Sequence, residues 1–516
     1  MGYRASVIIP VYNASKTVIR CVESIVYGRE KNIEVILVDD FSKDDSFNVC
    51  KELSSKYPNV VAIQNEKNHG VSHTRNNGLA HANGEYILFV DSDDWVSKNY
   101  AKDMLDIAEQ NEEKLAICGF NFVNQLDNQR VKYIWDENKS EIFQLESKDL
   151  FDIVDKGLLQ LVWNKVFKRE IIEDNNIKFD ETKSMGEDFQ FVLDYIKAAD
   201  IDKFLIINRP FYYYVRANSN SLMSNFGIKN YNDEIERYSF LWEITKDKNN
   251  TKQRYEKAIE RMKNNLFYQT LHRKIDKKEK EQLLITVSEE DFNKYYSANK
   301  KIVAKERILE KLQIINNQKN RIKGLIARKK REKKIKKIRN SVKVKDITII
   351  SQNCIAGVLY HDLNQQFLSP TINMFFDAKD FLKFVLNLDK YINGNMIMEW
   401  DEEYPIGHID DVTVKFMHYD SCTQAMEIWE KRKARIVRDK IFVISTDRDG
   451  FDEQLYEQWK NVKYPKILFT ANRKFYDGRN SVLFEQYEKD ECVSDLIPQR
   501  EFYKDNRLVD LLNSSF

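Results

Sequence analysis

Residues 84–94 read GEYILFVDSDD. An apolar run, 86–90, leads straight into three carboxylates, Asp91, Asp93 and Asp94, with only Ser92 among them. A run with no polar alternation is buried on both faces, which places it inside a parallel sheet rather than on a wet antiparallel one. Four more short strands flank it: 5–10 (ASVIIP), 33–39 (IEVILVD), 60–64 (VVAIQ) and 115–120 (LAICGF). Between them lie amphipathic stretches near 15–26, 46–56, 72–82 and 100–109. Strand and helix alternating at this pitch predict βαβ units and an α/β, Rossmann-like, mostly parallel sheet, with ligands at the carboxyl ends of its strands.

Those ends carry chemistry. Three carboxylates at a sheet edge repel one another unless a cation sits among them, and hard oxygen ligands suit Mg²⁺ or Mn²⁺ shared with a diphosphate; a solvated acidic turn is the plain alternative. Pro10-Val11-Tyr12-Asn13 closes the first strand and Asp39-Asp40 the second. A carboxylate accepts only, so it suits an imide N–H or a ribose hydroxyl, although Asp-Asp also reads as a turn. Asn68-His69-Gly70 leads into a helix bearing Arg75, where free backbone N–H groups can meet an anion; an ordinary capped helix fits as well. Gly186-Glu187-Asp188 opens another helix, where acids also serve as dipole partners.

The whole chain, 516 residues, is too long for one ordinary domain. Its 82 basic and 81 acidic residues nearly cancel, unlike a global nucleic-acid binder. No apolar run reaches the ~18 residues of a membrane span, and a strand begins at once where a signal peptide would lie, so a cytoplasmic protein is expected. The six cysteines form no CxxC pair, which excludes the usual zinc spacings. Residues 231–345 turn helical and polar. In 319–345, fourteen Lys or Arg face one Glu, with apolar residues every three to four positions. Such a basic amphipathic helix is a solvated connector, a contact for anionic membrane, or a nucleic-acid contact, the last disfavoured because no aromatic residues interleave for stacking. Beyond 346 the strand pattern resumes, at 347–351, 412–416, 441–445 and 467–469, and predicts a second α/β domain. The expected division is 1–225, 226–345 and 346–516.

The five motifs VIIPVYN (7–13), VDDFS (38–42), NHGVSHTRNNGL (68–79), GEYILFVDSDD (84–94) and GEDFQF (186–191), in this order, resemble those of a family 2 glycosyltransferase of the GT-A fold. The resemblance implies that Asp39 accepts from the base of a nucleotide sugar, with UDP the expected nucleotide, that Pro10 and Tyr12 frame the base, and that Asp40 lies beside them. It implies that Arg75 approaches the phosphates, that Asp91 and Asp93 hold a metal, Asp93 foremost, and that Asp188 is the general base. Trp163-Asn164-Lys165 resembles an acceptor-side stretch of capsule-type members, and Tyr212, Tyr214, Arg216 and Ser221 a loop over the donor. One base without a protein nucleophile implies single displacement with inversion, to a glycan or lipid-linked acceptor in capsule or exopolysaccharide synthesis. A sugar-phosphate nucleotidyltransferase would carry a glycine-rich loop after the first strand, where PVYNASK stands instead. A non-enzymatic assembly factor that binds sugar nucleotides or glycolipid is the remaining alternative.

Residues 346–516 resemble an uncharacterised family found with exopolysaccharide-biosynthesis proteins, through SQNCIAGVLYHDLNQQFLSPTIN (351–373), the stretch 404–436 and FVISTDRDGFDE (442–453). Ser351, Cys354, His361, His418 and Asp447 follow or end predicted strands and are expected to converge at one sheet edge, with Cys354 or Ser351 as nucleophile and His418 as base for acyl or phosphoryl transfer. A carbohydrate- or partner-binding role and plain structural support are the alternatives for this domain.

Overall fold

The computed structural model describes residues 2–111, 114–124, 129–183, 185–216, 228–245, 248–273, 291, 293–295, 297–303, 305, 328–401 and 403–516. The chain forms two compact units, Met1–Ile315 and Asn316–Phe516. The helices Ile228–Ile244 and Lys248–Arg273 lie in the first.

The first unit is built on a ten-stranded sheet. Its strands are β1 (Ala5–Val11), β2 (Ile33–Asp39), β3 (Val60–Gln64), β4 (Tyr86–Phe89), β5 (Trp95–Val96), β6 (Leu115–Asn124), β7 (Arg130–Tyr133), β8 (Ile142–Glu146), β9 (Lys165–Lys168) and β10 (Lys203–Arg216). The order β3-β2-β1-β4 is parallel throughout. Every residue of β2 and β4 is buried, as the lack of alternation requires. Beyond β4 the sheet becomes mixed. The short strand β9, with one polar residue at each end, pairs antiparallel with both β4 and β6 and separates them. Strand β10 lies parallel to β6, while β5 pairs antiparallel to β10.

Packing fixes the helices against this sheet. The helix Val71–His81 approaches β1 so closely that a Cβ on Gly78 would stand 2.4 Å from Ile8 Cγ2. Phe89 projects into a cluster with Phe167, Phe179 and Phe191, ring centroids 5.4–6.1 Å away. A truncation such as Phe89→Ala at this site costs about 3–5 kcal/mol. The cluster ties β4, which ends in the acidic turn, to the helix Glu187–Ala198, which begins with the other acids.

The second unit contains a parallel sheet in the order β11 (Thr348–Ser351), β15 (Ile441–Thr446), β16 (Lys466–Thr470), β17 (Ser481–Leu483). A separate antiparallel sheet is formed by β12 (Met396–Trp400), β13 (Pro405–Ile409) and β14 (Val412–Lys415). The expected strand at 412–416 therefore belongs to a second sheet and not to the parallel one. Of the expected basic helix, 319–327 lies outside the described residues; 328–341 is helical. Ile338 and Val342 pack on the unit's core, and Arg339 Nε donates to Asp362 O (2.8 Å).

Candidate active site

A cavity of about 980 Å³ opens at the carboxyl edge of β1, β2 and β4. Pro10, Tyr12, Asp40, Arg75, Asp91 and Asp93 line it, with Lys16, Gly70 and Ser92 among their neighbours. Strand ends cannot pair their last polar groups within the sheet, so parallel strands ending together gather side chains from distant parts of the chain.

Arg75 organises the floor. It is almost wholly buried, its Nη1 donates to Asp188 Oδ1 (2.7 Å) and its Nη2 to Asp91 Oδ1 (3.0 Å). Glu187 lies 3.9 Å away. Two carboxylates more than ninety positions apart in the chain thus share one guanidinium, whose fixed fork suits such bridging. Burial pushes the Asp188 carboxyl from 3.8 up to about 7, with Arg75 opposing the shift. Such a value suits a group that takes up a proton near neutral pH. Gly186 starts this helix at φ +78, and a Cβ there would stand 2.3 Å from the buried Arg237 guanidinium, so only glycine fits.

The three acids after β4 divide. Asp94 turns into the protein, where Tyr212 Oη donates to Oδ2 and the Val215 N–H to Oδ1, both at 2.7 Å. Burial holds its carboxyl well above the ordinary range. It is a structural tie between the turn and β10, which the expected three-acid cluster did not distinguish. Asp91 and Asp93 remain on the cavity. Desolvation first and the Asp91 charge second push Asp93 up to about 6, while solvent entering the cavity screens part of that shift. Among the described residues, no three His, Cys, Asp or Glu side chains form a complete metal set. Two acids with oxygens toward an open cavity fit a cation that draws its other ligands from a diphosphate.

The second strand's acids also divide. Asp40 accepts from the backbone N–H groups of His69 (2.9 Å) and Gly70 (2.8 Å) and from Asn65 Nδ2 (2.9 Å). The loop N–H groups read as open to an external anion are therefore held by the chain's own carboxylate. Asp39 is fully buried; its Oδ2 accepts from the Ser42 N–H and Gln64 Nε2, each 3.0 Å away, and its Oδ1 has no partner. An unpaired buried carboxylate oxygen is costly and marks a place for a donor.

Trp163, Asn164 and Lys165 lie in the interior. Trp163 stacks on Tyr212 at 4.1 Å, Asn164 Nδ2 donates to Cys118 O and Leu158 O, each at 3.0 Å, and Lys165 Nζ donates to Leu158 O at 2.7 Å. Desolvation holds the Lys165 amine well below its ordinary value. The three order the wall behind the site and expose almost nothing for an acceptor to touch. Tyr212 belongs to this stack and to the Asp94 tie; Tyr214 stacks beside Trp163 at 5.5 Å. Ser221 lies outside the described residues. Arg20, on the helix Val18–Val26 and marked by no motif of the sequence, donates from Nη2 to Asp93 O (2.7 Å) and covers the Trp95 ring at 4.4 Å.

In the second unit, Cys354 Sγ and His418 Nε2 stand 3.2 Å apart. The other candidates separate from them. Ser351 is buried, donates to Asn353 O and accepts from the Ala356 N–H (3.2 Å). Asp447 accepts from Thr470 Oγ1 and the N–H groups of Ala471 and Val493, at 2.7–2.8 Å, which clamps three segments together. His361 is exposed, its nearest acid being Asp362 at 3.7 Å. Full convergence at one sheet edge thus fails, because His418 follows β14 of the antiparallel sheet.

With this geometry, similarity to known proteins becomes informative. The model described as glycosyl transferase family 2 matches residues 6–173, which carry every cavity-lining residue except Val215 of β10. An uncharacterized protein of Haemophilus influenzae is 34% identical over 156 residues, 29% of this chain and 73% of that one. The N-terminal part of this chain belongs to glycosyl transferase family 2. The glycosyltransferase domain is also 30% identical over 190 residues to glycosyltransferase GlyA of Streptococcus pneumoniae, and 31% over 231 residues to the minor teichoic acid biosynthesis protein GgaB of Bacillus subtilis. These alignments cover 36% and 43% of this chain, and only 27% and 24% of those two proteins. A crystal structure of Staphylococcus aureus TarS 1–349 with UDP-GlcNAc aligns with a TM-score of 0.46 at 20% identity, over 55% of this chain and 79% of that one. Residues 325–514 match the model described as a domain of unknown function, DUF1919. Among the described residues, no helix is long and apolar enough to cross a membrane.

Proposed function

We propose that the glycosyltransferase domain transfers a sugar from a nucleotide donor, UDP-linked, to a hydroxyl of a glycan or lipid-linked acceptor, with inversion. The observation that carries this reading is the Arg75 bridge, which joins Asp188 to Asp91, a residue of the cavity wall. Asp39, opposite Val11 in the sheet and behind the residues that line the cavity, receives an N–H of the base on its unpaired oxygen, and the cavity-lining Pro10 and Tyr12 frame that base. Asp93 and Asp91 hold Mg²⁺ or Mn²⁺, which when bound neutralises charge on the departing diphosphate. Asp188 takes the proton of the attacking acceptor hydroxyl; Arg75 keeps its carboxylate aimed and is a positioning residue. No protein side chain bonds to the sugar, so one displacement inverts the anomeric carbon, and an α-linked donor yields a β-glycoside.

Relatives named for teichoic acid biosynthesis support a cell-surface polysaccharide as the setting, capsule or exopolysaccharide included. The second unit would act in the same pathway on the same polymer. A cytoplasmic enzyme resting at the inner face of the membrane suits a lipid-linked acceptor. The helix at 328–341 supplies the contact through nine Lys or Arg against Glu332, and nucleic acid is no partner. The test is a thermal-shift screen of nucleotide sugars with Mn²⁺, followed by product analysis with the donor that shifts. A raised melting temperature with one UDP-sugar and a β-linked product are expected. Binding without transfer across an acceptor panel would instead favour an assembly factor.

A further inference from the structure

Cys354 and His418 are 64 positions apart and meet from different sheets. Cys354 stands where β11 gives way to the helix Ile355–Leu363. His418 lies on the turn after β14, and its neighbour pins that turn. The Tyr419 N–H donates to Phe416 O (3.0 Å), Tyr419 Oη donates to Ile372 O (3.1 Å), and Arg432 Nη1 donates to Tyr419 Oη (2.6 Å). The imidazole is exposed and the thiol half-buried, so the pair is built yet reachable. Four of the other five cysteines are buried, and none of the six is in a disulfide.

We infer that Cys354 and His418 are the nucleophile and base of an acyl-transfer site, which takes an activated acyl ester or thioester. The inference rests on the second unit alone and stands whether or not the glycosyltransferase reading does. Burial first and Asp495 second push the thiol up to about 11, so at neutral pH sulfur carries its proton and needs an adjacent base as it attacks. His418 occupies that position. A thiol beside an imidazole favours acyl chemistry, because the thioester it forms stays reactive toward a hydroxyl. The first two N–H groups of the helix already donate, Ile355 to Asn353 Oδ1 and Ala356 to Ser351 Oγ, each at 3.2 Å. An incoming oxyanion that used these donors would have to displace Asn353 Oδ1 or Ser351 Oγ from them.

In the step, the sulfur lone pair adds to the carbonyl carbon of R–CO–X while the thiol proton passes to His418 Nε2. The intermediate then collapses, and X leaves as HX with that proton, so that Cys354 carries the thioester. An acceptor hydroxyl attacks this thioester, its proton passes through His418 to the departing sulfur, and an ester and the free thiol result. No oxidant or reductant takes part.

Incubation of the full chain with p-nitrophenyl acetate, read by p-nitrophenolate release and by peptide mapping, tests the inference. One acetyl group on Cys354 is expected, formed faster than on the similarly accessible Cys492. Cys354→Ser should abolish it, and His418→Gln should slow it on the order of 100-fold. Melting temperature and circular dichroism of both variants report whether they fold, and the Cys354 to Cys492 labelling ratio in the unaltered chain decides the matter if they do not. Labelling no faster at Cys354 than at Cys492, an unchanged rate in folded His418→Gln, or a phosphoryl adduct from p-nitrophenyl phosphate without acetylation would overturn it.

Discussion

Replacing Asp188 by Asn separates catalysis from stability more cleanly than any other substitution at the site. The side chain keeps its shape and its reach to Arg75 but can no longer take a proton. Loss of a positioned base lowers turnover by 10²- to 10⁴-fold. Stability should move the other way. A carboxyl held from 3.8 up to about 7 has a charged form disfavoured by on the order of 4 kcal/mol, at roughly 1.4 kcal/mol per pH unit. The folded state therefore binds this proton more tightly than the unfolded chain. The contribution is fully favourable below pH ~4 and is lost as pH rises toward 7. The amide mimics the neutral acid, so Asp188→Asn should be more stable than the parent at pH 8 and match it near pH 4. Initial rates of UDP release with the donor identified by thermal shift, together with urea unfolding at both pH values, measure the two effects. The parent's turnover should also rise through pH ~7 as Asp188 ionises. Retention of parental turnover in Asp188→Asn, or a flat pH profile across that range, would remove Asp188 from the role of base.

Three further outcomes are expected. Arg75→Leu leaves two carboxylates without their shared partner in a buried setting, so it should cost about 3–5 kcal/mol in urea unfolding and shift the acid limb of the rate profile to higher pH. Asp93→Ala should abolish the extra thermal stabilisation that Mn²⁺ gives with UDP while leaving the metal-free melting temperature near the parent's. In the parent that stabilisation should fade as pH drops below ~6, because the cation competes with the Asp93 proton. Replacing Lys329, Lys330 and Arg331 by Gln should release the chain from vesicles rich in anionic lipid, at about 1 kcal/mol per charge, with neutral vesicles as the control; equal binding to both would argue against a charge-driven contact.

Much of the site was legible in the chain because four of the five motifs sit at or just beyond a strand end, and strand ends of a parallel sheet share one edge. The run at 86–90 could only be a buried strand, which put Asp91 and Asp93 at that edge. Partnership was not legible. Nothing in Asp39-Asp40 tells which acid turns to its own loop and which keeps an oxygen free, and nothing in DSDD tells that Asp94 points inward. Those choices depend on Gln64, Asn65, Tyr212 and Val215, which arrive from elsewhere in the chain. Trp163-Asn164-Lys165 shows the same limit. Residues able to recognise a ligand are also able to satisfy buried carbonyls, and β9, too short to signal itself by periodicity, starts at Lys165 and draws the stretch inside.

By itself the sequence determined the βαβ order, the parallel sheet and the edge at which chemistry gathers, because hydrophobic period and chain order act locally and repeat over several elements. Tertiary structure alone decided which acids face the cavity and which are ties, the Arg75 bridge, and the meeting of Cys354 with His418 across two sheets. Hydrogen-bond partners are chosen by proximity in space, and proximity between positions 75 and 188, or 354 and 418, exists only once the cores between them have packed.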